Sequence, residues 1–163
     1  MEMLVVVVLI SLMVGIAVPA FQSGLPSIRL RSASTSVAQF LNAARNQVDR
    51  EQRAVLVRIY MDRGILRAQG IPGPGLPPVP PELLEMPDGI SIEGVFPAPF
   101  GIQSPIREYI LYPGGTVPPI SVHLRNDRGG MRWVSLDPVT YVAHVSPVQP
   151  EPGLGILPPE ARP

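Results

Sequence analysis

The chain predicts an α+β domain: one long N-terminal helix, transmembrane in its first half, laid across an antiparallel β-sheet. Three observations carry that reading. An uncharged apolar run opens the chain, from Met3 to Phe21. Apolar residues then recur at spacings of three and four from Leu30 to Val48. Past Arg53 the period changes to two, and short alternating segments are separated by Asp/Gly and Asp/Pro turns.

The opening run, MLVVVVLISLMVGIAVPAF, holds Ser11 as its one polar side chain. At about 1.5 Å rise per residue its nineteen residues span roughly 28 Å, close to the ~30 Å hydrocarbon core of a bilayer. A helix buried in a protein core rarely runs so far without a polar face. A cleaved signal peptide would have a shorter apolar region behind a basic segment, and no basic residue precedes this one. Glu2 stands at the edge of the run, where a carboxylate is costly to bury without a partner and easy to leave at headgroup level.

The second half of the helix is amphipathic. Leu30, Ala33, Val37, Leu41, Ala44 and Val48 share one face, with Arg45, Asp49 and Arg50 mostly elsewhere. The helix is expected to end near Arg53. Pro19, Gly24 and Pro26 fall between its halves, and a kink or local melting is expected there, because proline removes one i→i−4 hydrogen bond and crowds the preceding turn.

The strands follow in order. Ala54–Tyr60 alternates, and Gly64–Gln69 is its hairpin partner across Asp62-Arg63-Gly64. Residues 71–88 are crowded with prolines and read as a surface loop. Ile90–Phe96 is a strand, and residues 97–105 are a second loop, so that 71–105 forms a Pro-rich middle. Glu108–Tyr112, Ile120–Arg125, Met131–Leu136 and Tyr141–Val145 make an antiparallel meander, turned by Asp127-Arg128-Gly129-Gly130 and Asp137-Pro138. Residues 147–163 are Pro-rich with little periodicity and read as a disordered tail. The organisation is an anchor over 1–21, a domain over 22–146 and a tail over 147–163.

Composition removes several kinds of chemistry. The 163-residue chain is formally neutral, all thirteen of its Lys-plus-Arg residues are Arg, and it has no Cys. Disulfides, thiolate nucleophiles and zinc-thiolate sites are excluded. His123 and His144 are the two histidines, each in an expected strand, where a surface position accounts for them better than metal ligation. No G-x-S-x-G elbow accompanies them. Gly70, Gly73 and Gly75 lie among prolines and not between a strand and a helix, which argues against a phosphate loop. Glu82, Glu85 and Asp88 lack EF-hand order and read as a solvated loop. No catalytic residue, metal site or cofactor is expected, and the chain is read as a non-enzyme. Arg125, Arg128 and Arg132 flank one turn and are the candidate nucleic-acid contact, interrupted by Asp127.

The segment Glu2-Met3-Leu4-Val5-Val6-Val7-Val8-Leu9-Ile10, with Pro19 seventeen residues beyond Glu2 and Gly15 between them, resembles the N-terminal segment of type IV pilins and type II secretion pseudopilins. Val37-Ala38-Gln39-Phe40-Leu41-Asn42-Ala43-Ala44-Arg45 resembles the helix of H-type minor pseudopilins and the related FimT-like minor pilins. Ile110-Leu111-Tyr112-Pro113-Gly114-Gly115-Thr116 is similar to their aromatic-Pro-x-Gly turn, and Trp133–Thr140 to their closing hairpin. The sequence departs from the pattern at Tyr141, where the family often has Gly, and in the Pro-rich middle. The leader and its processing site are also missing, and by the family's spacing the mature terminus lies three residues before Met1, which points to a start further upstream.

The resemblance implies a pilin-like fold and an assembly subunit that catalyses nothing. Glu2 would pair with the N-terminal amine of a neighbouring subunit, and Pro19 would let the anchor bend. The implied partners are other pilin-like subunits, the inner membrane, and a prepilin peptidase acting on the leader. The implied machine is the type II secretion pseudopilus; the alternative is a FimT-like type IV minor pilin that binds DNA or supports pilus biogenesis. Arg29 and Arg31 follow the anchor, so the positive-inside bias alone would leave the domain in the cytoplasm. The family's basic leader reverses this and implies a single-pass inner-membrane protein with its domain in the periplasm.

Overall fold

The computed structural model describes residues 2–73, 79–97 and 104–148; for Glu2, Leu4 and residues 14–24 it describes the helical backbone only. The element order is α1 (Glu2–Glu51), β1 (Val55–Tyr60), β2 (Ile65–Gly70), β3 (Glu82–Glu85), β4 (Ile90–Phe96), β5 (Ile106–Leu111), β6 (Ile120–Asn126), β7 (Met131–Leu136) and β8 (Ala143–Ser146). The expected class holds: one long N-terminal helix is packed on antiparallel strands.

Helix α1 is unbroken over its 50 residues. The melting expected at Pro19, Gly24 and Pro26 does not occur, because each proline removes only one backbone hydrogen bond and its neighbours carry the helix across. The helix stops where Gln52 turns to φ 48° and its side-chain amide donates to the Asp49 carbonyl at 2.7 Å. Glu51 then receives the Gln47 amide at 3.2 Å and the Arg53 guanidinium at 2.5 Å. Burial pushes the Glu51 carboxyl up, but these two donors outweigh it and leave the group below its ordinary range.

The strands form two four-stranded sheets and not the single sheet expected. The first has the order β3-β2-β1-β5, the second β4-β6-β7-β8. Strand β5 was expected to open a meander with β6. Instead it returns across β1, pairing Val55 with Leu111 and Tyr60 with Ile106. Strand β3 lies inside the segment read as a proline loop, pairing Ala68 with Glu82 and Ile65 with Glu85. The last strand begins two residues later than expected, because Tyr141 adopts φ 59° in the preceding turn. The tail read as disordered lies outside the described residues beyond Val148, as do residues 74–78 and 98–103 of the Pro-rich middle.

One core joins the helix to both sheets. Val37, Leu41 and Ala44 of α1 are fully buried with Val55, Val57 and Ile59 of β1, Leu66 of β2, Leu111 of β5, Val122 and Leu124 of β6 and Val134 of β7. Each Val, Leu or Ile so buried contributes roughly 1.5–3 kcal/mol of transfer free energy. The period-two burial of β1 and β2 assigns Val55, Val57, Ile59, Leu66 and Ala68 to the helix side.

Candidate assembly site

The first half of α1 has no partner among the described residues. Six consecutive side chains, Val5 to Ile10, are each 50–61% exposed, and Met3, Leu12 and Met13 are more so. Six residues make more than one and a half turns, so apolar surface is presented in every direction around the axis. A folded domain does not leave so large a continuous apolar surface in water. What such a rod can do chemically is limited and specific: it can be solvated by lipid tails or packed among other apolar helices. Among the described residues no helix is long and apolar enough to cross a membrane; residues 14–24 of the expected span have no described side chains. Glu2 is the first residue of α1 and Pro19 lies within its unbroken backbone, while both side chains lie outside the described set.

The second half of α1 is fastened to the sheets by polar ties as well as by the core. At the end nearer the apolar half of α1, Asn126, at the end of β6, donates from Nδ2 to the Pro26 carbonyl at 3.3 Å. Its Oδ1 accepts the backbone N–H of Arg128 at 3.2 Å and of Gly130 at 2.6 Å. One buried amide therefore closes the β6–β7 turn and clips that turn to the helix. A Cβ at Gly130 would lie 2.9 Å from Asn126 Nδ2, so glycine is needed for the close approach. Near the other end Asn42 Oδ1 accepts the Ala143 N–H at 2.9 Å, joining the helix to β8. Arg45, which ion-pairs with Asp49, also lies 5.1 Å over the Tyr141 ring. Tyr141 holds the left-handed conformation that a glycine would adopt more cheaply. The Asn42–Arg45 segment and the closing hairpin, picked out separately in the sequence, are thus in direct contact. Asp137 orders the same hairpin. Its Oδ1 accepts the N–H groups of Val139 at 2.7 Å and Thr140 at 3.2 Å, and these bonds hold its carboxyl below the ordinary range.

The three arginines of the candidate nucleic-acid contact do not converge. Arg125 points to the solvent face of the second sheet and pairs with Glu93 at 3.0 Å. Arg132 is opposite Leu124, a fully buried residue of the helix side, and is half-buried on that opposite face. Arg128 is exposed in the turn between them. That turn is clipped to the Pro26 carbonyl of α1. A shallow cleft of about 540 Å³ beside it is lined by Gly89, Ile90, Ser91, Glu93, Arg125, Asn126 and Asp127, with no nucleophile–base pair among them. Glu82 and Glu85 occupy opposite faces of β3 and do not face one another. His144 is exposed as expected. His123 is more covered than a surface histidine: its ring stacks on Trp133 at 4.1 Å and 3°, with Nδ1 3.5 Å from Glu93.

Sequence reasoning missed Asn126 and Asn42. Their partners lie 100 and 101 residues away, and a single Asn carries no periodic signal. The one available hint was the Asn-Asp-Arg-Gly-Gly turn, whose first residue commonly bonds its own backbone.

The chain's fold is similar to that of a solved structure, described as the minor pseudopilin EpsH from the Type 2 Secretion System of Vibrio cholerae. The TM-score is 0.51 at 12% sequence identity, covering 72% of this chain and 96% of that one. No family model matches the chain, and no curated protein matches it in sequence.

Proposed function

We propose that the chain is a minor pseudopilin, a non-catalytic subunit that joins the pseudopilus of a type II secretion system and supports protein export across the outer membrane. The single observation that carries this reading is the continuity of α1. A bare apolar rod and a packed domain helix are one element, on a fold like that of the pseudopilin EpsH.

In this reading residues 1–21 cross the inner membrane once, residues 22–146 form the periplasmic domain, and 147–163 trail from it. The anchor holds the subunit in the bilayer until polymerisation moves it into a bundle of like anchors. Within that bundle Glu2 pairs with the terminal amine of a neighbouring subunit. A buried pair of that kind fixes register more than it adds stability. A prepilin peptidase would be a further partner in this reading.

The test is a Glu2→Ala protein scored for incorporation into the filament. The proposal expects incorporation to fall while the domain melts at its usual temperature. Normal incorporation would remove Glu2 from the mechanism. The DNA-binding alternative gains no support from the arginine geometry. A gel shift with the full chain in detergent at low and high salt checks it, and a salt-sensitive shift would revive it.

A further inference from the structure

We propose that the free edge of β5 receives the C-terminal segment 152–158 of a second copy of the chain as an added antiparallel strand. The proposal stands on the edge and the segment alone and does not depend on the membrane reading of α1.

The edge comes first. Strands β3 and β5 end the first sheet, and β4 and β8 end the second. Exposed edges are usually blunted by shortness, proline or a bulge. Strands β3 and β8 have four residues each, with Pro80, Pro81 and Pro87 around β3. Strand β4 carries a bulge between Ile92 and Gly94. Strand β5 has none of these devices: its six residues keep an unbroken register with β1. Ile106 and Ile110 are each 38% exposed, and Tyr112, just beyond the strand, is 56% exposed.

Hydrogen-bond parity shows what this edge lacks. The Met61 N–H donates to the Pro105 carbonyl at 2.8 Å. Bonded residues alternate along an antiparallel ladder, so Arg107, Tyr109 and Leu111 bond β1. Ile106, Glu108, Ile110 and Tyr112 therefore turn their N–H and C=O groups outward. Two of these groups are used within the chain. The Ile106 N–H donates to Ser104 Oγ at 3.2 Å, and the Tyr112 carbonyl accepts the Gly115 N–H at 3.2 Å. The carbonyls of Ile106, Glu108 and Ile110 and the N–H groups of Glu108, Ile110 and Tyr112 have no partner among the described residues.

The segment Pro152-Gly153-Leu154-Gly155-Ile156-Leu157-Pro158 fits that pattern. Set antiparallel, with Leu154 opposite Ile110 and Ile156 opposite Glu108, it exchanges a pair of hydrogen bonds with each. Pro152 then lies opposite Tyr112, where only an acceptor is required because the Tyr112 carbonyl is already bonded. A proline meets that requirement. Pro158 closes the strand opposite Ile106, whose carbonyl is left to water. A shift of two residues either way sets a proline against Ile110 or Glu108 and loses a bond. A shift of one keeps the bonds but turns Leu154 and Ile156 to the other face and sets glycines in their place. Side chains therefore select the register. Leu154 extends the outer-face row of Leu56 and Ile110, and Pro158 extends the row of Tyr60 and Ile106.

Reach decides which copy supplies the segment. Strand β5 sits over the end of β4, where the Tyr109 hydroxyl donates to the Pro97 carbonyl at 3.3 Å. The segment departs from β8, the far edge of the order β4-β6-β7-β8. Three inter-strand steps of about 4.8 Å and a step of about 10 Å between sheets put the two edges roughly 17 Å apart. From Val148 to Pro152 an extended chain covers at most about 14 Å. The segment falls short of its own edge and is free to reach another copy's. Such a contact is heterologous, tail to edge, and propagates from copy to copy.

The test uses the full chain in detergent. The chain has no Cys, so Ala161→Cys supplies a single thiol for a nitroxide spin label beside the segment. Spin-labelled chain is mixed with isotope-labelled chain that lacks the thiol. The expected result is broadening of the Glu108, Ile110 and Tyr112 amide resonances, about twofold more for each doubling of spin-labelled chain while binding is weak. Leu154→Pro combined with Ile156→Pro removes both donors from the segment without touching the domain, and should abolish the broadening. Broadening that survives the prolines would overturn the proposal, because the copies would then associate through another surface, α1 included. No broadening in the mixture would overturn it too. So would broadening seen only when spin label and isotope are in one chain, which would assign the segment to its own edge.

Discussion

The two halves of α1 are built from the same kinds of residue and meet opposite fates. Val37, Leu41 and Val48 are at most 1% exposed, whereas Val6, Leu9 and Leu12 are at least half exposed. Nothing in side-chain chemistry separates the two sets. Spacing does. In the second half, apolar residues recur every three or four positions and leave the rest of the circumference to Arg45, Asp49 and Arg50, so one face can be buried by a sheet. In the first half they are continuous, so no single sheet could cover them. The lesson is that a uniform apolar helix requires a surrounding medium, while a striped one requires a neighbour.

The largest effect should come from breaking the striped half. Leu41 is fully buried in the core that α1 shares with the two sheets, and Leu41→Ala should destabilise the domain by about 2–5 kcal/mol in thermal or denaturant melts. Val8→Ala, in the bare half, should shift the same melt in detergent by less than about 0.5 kcal/mol. Equal losses would mean that the two halves belong to one packed core.

The converse change sharpens the contrast. Leu12→Asp near the middle of the apolar run should weaken membrane insertion by about 2.5–3.5 kcal/mol, read as the fraction recovered in the membrane pellet. The domain's melting temperature should not move.

Next in size is the junction of the halves. Asn126→Ala removes the amide that joins the β6–β7 turn to Pro26 and leaves two backbone N–H groups without their acceptor. A loss of about 1–3 kcal/mol is expected, with faster amide exchange at Arg128 and Gly130. An unchanged exchange rate there would show that the clip is not formed.

Two smaller effects concern the closing hairpin that the striped half holds. Asp137 has its carboxyl lowered by the Val139 and Thr140 N–H groups, so its stabilising share is present above the ordinary Asp range and is lost as pH falls through the lowered value. Asp137→Ala should therefore flatten the acid limb of the stability curve below about pH 4, with little change in its shape near neutrality. Tyr141→Gly relieves about 1–2 kcal/mol of left-handed strain. It also forfeits about 0.5–1 kcal/mol from the Arg45 contact and adds about 0.5–1 kcal/mol of unfolded-chain entropy. The net should be within about 1 kcal/mol of zero; a loss above about 2 kcal/mol would show that the Arg45–Tyr141 contact is worth more than a surface stack.

Much of this was readable from local pattern. The core face of α1, strands β4 and β7 to the residue, and the hairpin of β1 with β2 all follow from periods of 3.6 and 2. What escaped was non-local or too short to show a period. Strand β5 pairs with β1 across the length of the Pro-rich middle, as in the Arg58–Glu108 contact between residues 50 apart, and no local signal says which strand it will join. Strand β3 has only four residues, with Leu83 and Leu84 adjacent and prolines close on both sides, so it lacks alternation. At the candidate site the apolar rod was legible because it is continuous. The Asn126 and Asn42 ties were not, because each depends on one side chain reaching a segment that only the finished fold brings near.

The central claim is that α1 begins outside water. The most direct measurement is the partition of the full chain, expressed with membranes and washed in alkaline carbonate without detergent. The account predicts recovery in the membrane pellet, with the segment from Met3 to Phe21 protected from protease. A chain that leaves the membrane on washing and runs as a monomer in detergent-free buffer would contradict it.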